Sequence, residues 1–522
     1  MNFYSREKEL ELMDLLYGSR PSFLVITGKR RVGKTELIRQ FMKQFTEQAG
    51  KGGKEGKGRQ AENEGKAGKN EKDEKDEKNE KAGKEGNALY FFVDSNKSIG
   101  LLMEEFGQVL KSGLGLPDYI KVDEPEAFLE FLTSYEGDLV VAIDEFQRFQ
   151  KIYPSFISQL QRYWDLKPEK SRLFLVVSGS SVGMIKKIFI EDKAPLFKRA
   201  DNILTLKPFG VREVFAMLED LGVRDSEEKL KLYFLFGGTV YYYRLFEKYG
   251  CRSFEDALEK LIFSDFAPLR DEVRDVLIEE FGKEHATYYE IISAVARGKA
   301  SQSEISDLTH VSPNSLGNYF YDLIDLLGVL EYRIPVPEKP GRSKKGRYFL
   351  KDNFFRFYGY FIYPRLSQYM AGNYGLLLDK VRQEWSSYTG LLFEALMRDL
   401  ITAELAGEYP EIGPWWDRRG NEIDLVGLSP GTGKGKGNGS NTGLYPGPET
   451  GKVLLVEIKD RELSEKDARK VLSSTLEKAK YIPGCRDMQI EVGIAARKIG
   501  GRKKLEDEGF RTWELRDFTL SL

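Results

Sequence analysis

The chain has 522 residues, enough for roughly three or four domains of ordinary size. Its 80 Lys and Arg against 82 Asp and Glu leave a formal charge of -2, so no global field favours nucleic acid or a membrane, and any nucleic-acid surface has to be a local patch. Two cysteines, Cys251 and Cys485, speak against a disulfide framework, and two histidines, His285 and His310, lack partners at metal-ligand spacing, which speaks against a histidine zinc site and a Ser-His-Asp hydrolase.

The first residues, MNFYSREKEL, are charged and hold no apolar h-region. The longest apolar runs, such as 139–143 and 173–177, have strand length and are too short to cross a bilayer. With the scarce cysteines this gives the expectation of a cytoplasmic protein without a membrane partner.

In chain order, residues 21–27 (PSFLVIT) read as a buried strand and 35–48 as a helix. Residues 50–87 are almost entirely Lys, Glu, Gly, Asn and Asp, with no large apolar residue before Leu89. Such a stretch cannot bury enough surface to offset its ordering entropy, so a mobile insertion is expected, and its mixed signs make it a solvated spacer. A strand follows at 88–93, helices at 99–112 and 126–135, and strands at 138–143 and 172–177. Strands alternating with helices predict an α/β fold with a parallel, doubly wound sheet. The pattern turns helical from 208 to 280, gives three short helices and a hairpin around 285–350, and resumes an α/β alternation after about 390. A Gly-rich stretch at 429–451 is expected to be a second mobile loop; its GTGKGKG lacks a GKS or GKT ending and a following helix, so it is no phosphate loop.

GKRRVGKT at 28–35 fits G-x-x-x-x-G-K-[ST] and lies between an apolar strand and a helix. Gly28 and Gly33 let the backbone curl so that the N–H groups of Lys29, Arg30, Arg31 and Val32 line the phosphate cradle. Lys34 reaches the β and γ oxygens of ATP, and Thr35 offers a hydroxyl to Mg²⁺. In LVVAIDEFQRF, Asp144 and Glu145 follow an apolar strand; Asp144 suits the magnesium side, and Glu145 suits polarisation of the attacking water. The strand ending VVSGSS offers Ser178 or Ser180 as a γ-phosphate sensor.

The opening FYSREKEL, the phosphate loop, the acidic strand end, the SGSS strand and PLFKRA at 195–200 followed by LKPF together resemble the archaeal ATPase family, an AAA+-related branch close to the STAND signalling ATPases. The resemblance covers roughly residues 1–245. It implies an adenine pocket near Arg6, an arginine finger at Arg199 and a helical lid. The lid motif of the family reads Gly-Gly-x-Pro, and here GGTVYYY at 237–243 carries Val240 in place of the proline.

Residues 285–350 read as a winged helix. Ser303 is expected to begin one helix, and Ser312 before Pro313 to cap the next, whose Leu316, Tyr319, Phe320, Leu323 and Leu327 make a buried face. Its outward residues include Asn314, Asn318 and Asp322, poor in the arginines that read base edges. The wing EKPGRSKKGR is basic through Lys339, Arg342, Lys344, Lys345 and Arg347, which suits phosphate contact without sequence reading.

In the tail, GLLFEALM sets Glu394 in a helix, NEIDLVG sets Asp424 on a strand, and LLVEIKD sets Glu457 and Lys459 two apart on the next, hence on one face. Carboxylates and a lysine meeting at neighbouring strand ends suit Mg²⁺ binding and phosphodiester cleavage. This ordered set resembles the PD-(D/E)XK nuclease core over about residues 375–522, with Glu394 in the accessory position.

The expected architecture is therefore α/β and multidomain. It runs as a P-loop ATPase core at 1–207, a helical lid at 208–280, a winged helix at 281–350 and a restriction-endonuclease-like domain at 351–522. The expected function is Mg²⁺-dependent ATP binding and hydrolysis coupled to a nucleic-acid-binding, nuclease-like tail, with DNA favoured over RNA. Two other readings stand beside it: a STAND-type ATP-driven switch whose tail is an inactive docking domain, and a DNA-binding regulator. An arginine finger at Arg199 acting in trans would require a homo-oligomer.

Overall fold

The computed structural model describes residues 3–55, 87–281, 286–339, 341, 343–429, 451–483 and 488–519. Nearly all of the two expected insertions, together with His285, Arg342 and Cys485, lies outside the described residues, although the helix Lys34–Glu55 runs on past residue 50. The chain divides into two compact units, one of Met1–Phe209, Gly238–Arg244 and Asp325–Gly328, the other of Gly210–Gly237, Leu245–Ile324 and Val329–Leu522.

In the first unit, Ser22–Thr27 (β1) has no polar face, and every one of its residues is buried. Successive side chains point to opposite faces of a sheet, so a run buried at every position, with the apolar residues Phe23 to Ile26 at its centre, needs cover on both sides. Phe23 and Val25 enter one core with Phe91, Val141, Leu175 and Phe189, whereas Leu24 and Ile26 enter the other with Leu37, Phe41, Val140 and Phe174. Each such side chain, fully buried, contributes roughly 1.5–3 kcal/mol. Asn87–Phe92 (β2), Leu139–Asp144 (β3), Leu173–Gly179 (β4) and Asn202–Thr205 (β5) complete a wholly parallel sheet in the order β2-β3-β4-β1-β5. This is the doubly wound sheet of a P-loop NTPase. The carboxyl ends of β1, β3 and β4 are neighbours, the position where open α/β sheets take ligands.

The second unit begins with helices Val211–Asp220 and Ser226–Phe236, followed by Phe254–Leu261 and Glu272–Phe281. Helices Ala286–Ala296, Gln302–Thr309 and Pro313–Tyr321 then precede an antiparallel pair, Leu330–Arg333 (β6) and Arg347–Leu350 (β7). The second of these three helices is capped by Ser301, with Glu304 closing a capping box, so it starts at Gln302 rather than at Ser303; Ser312 caps the third as expected. The 32-residue helix Tyr374–Leu405 leads into a mixed sheet ordered β12-β11-β10-β9-β8, formed by Glu411–Trp416 (β8), Glu422–Ser429 (β9), Lys452–Leu463 (β10), Gln489–Ile499 (β11) and Arg511–Glu514 (β12). Strands β8, β9 and β10 pair antiparallel, and β10, β11 and β12 pair parallel, with the helix Glu465–Lys478 crossing between β10 and β11.

Candidate functional site

The phosphate loop leaves β1 at Thr27 and enters the helix Lys34–Glu55. Gly28 has φ +152, and a Cβ there would lie 2.4 Å from the Leu206 carbonyl oxygen. Gly33 has φ +99, a conformation L side chains rarely adopt, so glycine is demanded at both positions. Val32 anchors the loop in the core. Lys34 folds back, its Nζ donating to the Gly28 and Lys29 carbonyls at 2.9 Å each. Arg31 has φ +66, and its guanidinium lies 4.3 Å over the Tyr241 ring.

At the end of β3, Asp144 is buried and collects donors from three elements. Thr35 Oγ1 donates to its Oδ2 at 2.6 Å and Tyr90 Oη to the same oxygen at 2.7 Å, while Ser178 Oγ and the Glu145 N–H donate to Oδ1. Burial, then the facing Asp144 charge, pushes the Tyr90 phenol far above its usual range, so it stays a donor. Glu145 follows in the left-handed region at φ +59. Its Oε2 accepts from Gln147 Nε2 at 2.7 Å and Ser180 Oγ at 2.8 Å, and Arg148 Nε stands 3.6 Å away. The structure thus brings Lys34, Thr35, Asp144, Glu145, Ser178 and Ser180 together. It adds Tyr90, Gln147 and Arg148, which sequence reasoning missed because they come from an apolar strand and from a short turn without a motif.

Arg6 is buried beside the segment after β5: its Nη2 donates to the Lys207 carbonyl at 2.7 Å, and the guanidinium stacks 4.4 Å from the Phe209 ring. Gly238 lies hard against the same segment, since a Cβ on it would meet the Phe209 carbonyl oxygen at 1.8 Å. Arg244, four residues past Val240, reaches Glu36 of the helix Lys34–Glu55 at 3.2 Å. Arg199 is engaged within its own unit by two bonds to Asp165, at 3.1 and 3.3 Å.

The tail set lies wholly in the second unit. The β9–β10 ladder pairs Leu425 with Val456, so its next step puts Asp424 opposite Glu457, and Asp424 Oδ2 accepts the Ile458 N–H at 2.7 Å. Lys459 Nζ stands 2.7 Å from Glu457 Oε2 and 3.7 Å from Asp424 Oδ2. A second lysine, Lys478, closes on Glu457 Oε1 at 2.5 Å; it was invisible in a helix rich in lysine. Glu394 is held by Arg398 at 2.8 Å. Burial, aided by the Glu394 and Glu457 charges, pushes Asp424 up to about 8. Burial would raise Glu457 too, but its two lysines outweigh burial and hold it below the usual carboxylate range. Burial likewise pulls Lys459 down, and the carboxylates facing it more than compensate, leaving it raised. Among the described residues, no three Asp, Glu, His or Cys side chains converge as a metal ion would need. The oxygen donors suit a hard cation in kind, while their present partners are ammonium and guanidinium groups.

On the β6–β7 hairpin, two of the basic residues are already committed. Lys345 pairs with Glu338 at 2.5 Å, and Arg347 pairs with Glu422 at 3.4 Å while stacking on Trp416. Lys339 and Lys344 are exposed.

Residues 3–245 match a family described as an ATPase domain predominantly from Archaea, and residues 358–434 match one described as archaeal and bacterial proteins of unknown function. Over the first of these matches the chain is an ATPase, and the second match lies C-terminal to it. An uncharacterised protein of Methanocaldococcus jannaschii is 27% identical over 523 residues, spanning 99% of this chain and 100% of its own. Among solved structures, a Walker-type ATPase of Pyrococcus abyssi is similar with a TM-score of 0.45 at 15% identity, covering 68% of this chain and 96% of that one. The ORC2 protein of Aeropyrum pernix, solved with ADPNP and ADP, gives a TM-score of 0.44 at 14% identity, over 73% of this chain and 96% of that one. No helix among the described residues is long and apolar enough to cross a membrane.

Proposed function

We propose that this ATPase couples nucleotide turnover to Mg²⁺-dependent cleavage of nucleic acid by its tail. In this reading the ATPase core spans 1–207, a helical lid 208–280, a winged helix 281–350 and a nuclease-like domain 351–522. At the ATP site, Lys34 leaves the loop carbonyls for the β and γ oxygens, and the N–H groups of 28–35 cradle the phosphates. Thr35 and Asp144 would hold Mg²⁺, which supplies charge neutralisation on the phosphates. Glu145 accepts the proton of the attacking water, Ser180 sits beside it as the γ-phosphate sensor, Arg6 borders the adenine, and Arg199 turns from Asp165 to a neighbouring copy as an arginine finger.

The observation that supports the tail reading is the convergence of Asp424, Glu457 and Lys459 on one edge of β9 and β10. Asp424 and Glu457 would hold the cation, joined by the accessory Glu394 once it leaves Arg398; the cation supplies an activated water, and Lys459 steadies the developing negative charge on phosphate. Exposed Lys339 and Lys344 on the β6–β7 hairpin suit a phosphate backbone, and such contacts carry no sequence information, so the reading is DNA binding without sequence preference. A second reading, an ATP-driven switch with a docking tail, is favoured by the ion pairs that already neutralise Glu457. The deciding experiment measures cleavage of single- and double-stranded DNA and RNA with Mg²⁺, with and without ATP, by the wild type and Lys459→Ala. Cleavage lost in the variant is expected; no cleavage by the wild type in any nucleotide state leaves the switch.

A further inference from the structure

We propose that Gln147 is a positioning residue for ATP hydrolysis, one carboxamide that sets both the Glu145 carboxylate and the Ser180 hydroxyl. This rests on the reading above of Glu145 as the base and Ser180 as the γ-phosphate sensor. Gln147 lies in the short turn Phe146–Arg148 that follows β3, and it is buried. Its Nε2 donates to Glu145 Oε2 at 2.7 Å and to Ser180 Oγ at 3.3 Å, so both of its N–H groups are spent. Ser180 Oγ in turn donates to Glu145 Oε2 at 2.8 Å. The three side chains close a ring of hydrogen bonds around the Glu145 carboxylate.

The carboxamide is fixed in that place. Gly179, the last residue of β4, lies against it, and a Cβ there would stand 2.5 Å from Gln147 Oε1. Glycine in the VVSGSS strand end is therefore what leaves room for the amide. Phe146, fully buried, anchors the turn through ring contacts to Phe149 and Phe189, with centroids 5.6 and 5.8 Å away. Gln147 Oε1 is buried and has no hydrogen-bond partner among the described residues, an arrangement that costs stability. An apolar side chain of equal length would spare that cost, so packing alone does not call for a glutamine. The two N–H groups do.

Ser180 has a single hydroxyl proton and, once ATP is bound, two acceptors for it, Glu145 and a γ-phosphate oxygen. When that proton turns to the phosphate, Gln147 Nε2 stays on Glu145 and on the Ser180 oxygen. The base keeps its aim at the attacking water while the sensor changes partner. Orientation of this kind contributes about 10²-fold in rate.

The test is steady-state ATP hydrolysis by the full chain, beside equilibrium binding of a fluorescent ATP analogue and thermal melts. Gln147→Met keeps the length and removes both N–H groups. It should lower kcat about 10²-fold, leave the Kd of the analogue nearly unchanged and melt no lower than wild type. Gln147→Glu, which sets a second carboxylate against Glu145, should also lower kcat, and it carries the test should the Met variant not fold. In the Glu145→Gln background either change should cost almost nothing further, because no base remains to be aimed. An equal loss in both backgrounds, or wild-type turnover by the Gln147 variants, overturns the role of Gln147 while the base stands. Wild-type turnover by Glu145→Gln instead overturns the reading on which that role rests.

Discussion

Thr35 Oγ1 stands 2.6 Å from Asp144 Oδ2, joining the phosphate loop to the end of β3, and Tyr90 donates to that same oxygen from the neighbouring strand. When Thr35 turns to a metal ion, Tyr90 and Ser178 are the side-chain donors that keep Asp144 oriented. Removing a buried hydrogen bond to a charged group costs about 1.5–3 kcal/mol. Tyr90→Phe should therefore raise the Mg²⁺ concentration for half-maximal ATP hydrolysis roughly tenfold or more. Binding of ATP in EDTA should stay unchanged, and titrations of a fluorescent ATP analogue with and without Mg²⁺ separate the two effects.

Glu145 faces the opposite problem, because its carboxylate is already shared among Gln147, Ser180 and Arg148. A carboxylate acting as general base contributes typically 10²–10⁴-fold, so Glu145→Gln should lower kcat by about that factor while ATP binding is retained. Steady-state hydrolysis beside equilibrium binding checks it; a variant that still turns over at the wild-type rate would move the base elsewhere.

What was legible in the sequence follows from how far each signal travels along the chain. The phosphate loop and Asp144–Glu145 are contiguous motifs on apolar strands, and the doubly wound sheet announces itself in runs such as 22–27 that bury both faces. The alternation that sets Glu457 and Lys459 on one face is likewise local. Tyr90, Tyr241 and Lys478 were not legible, because their meaning lies in partners 54, 210 and 21 residues away. The start of the helix Gln302–Thr309 was misread by one residue, although Glu304, three residues after Ser301, carried the capping-box signal.

Asp424 yields a pH dependence whose sign is fixed. Its pKa is raised in the fold from the ordinary 3.8 to about 8, so the unfolded chain loses this proton first. Stability from this group therefore falls as pH rises through that window and is fully lost above it. Asp424→Asn still accepts the Ile458 N–H and carries no charge, so the metal-free variant should be more stable than wild type at pH 8, by roughly 1–3 kcal/mol. The difference should shrink to nothing near pH 4, and added Mn²⁺ should reverse the order. Thermal melts across that range, with chelator and with metal, supply the measurement.

The β6–β7 hairpin separates cations that are free to meet a polyanion from cations that are spent. Lys345 is tied to Glu338 and Arg347 to Glu422, whereas Lys344 is exposed. Each phosphate neutralised on duplex DNA contributes about 0.9 to the slope of log K against log salt. Lys344→Ala should accordingly flatten that slope by about 0.9. Lys345→Ala should leave it nearly unchanged, because Lys345 would have to break its pair with Glu338 before reaching a phosphate. Fluorescence-anisotropy titrations of a labelled duplex at several salt concentrations read both slopes, and equal slopes for the two variants and the wild type would remove the hairpin from the DNA contact.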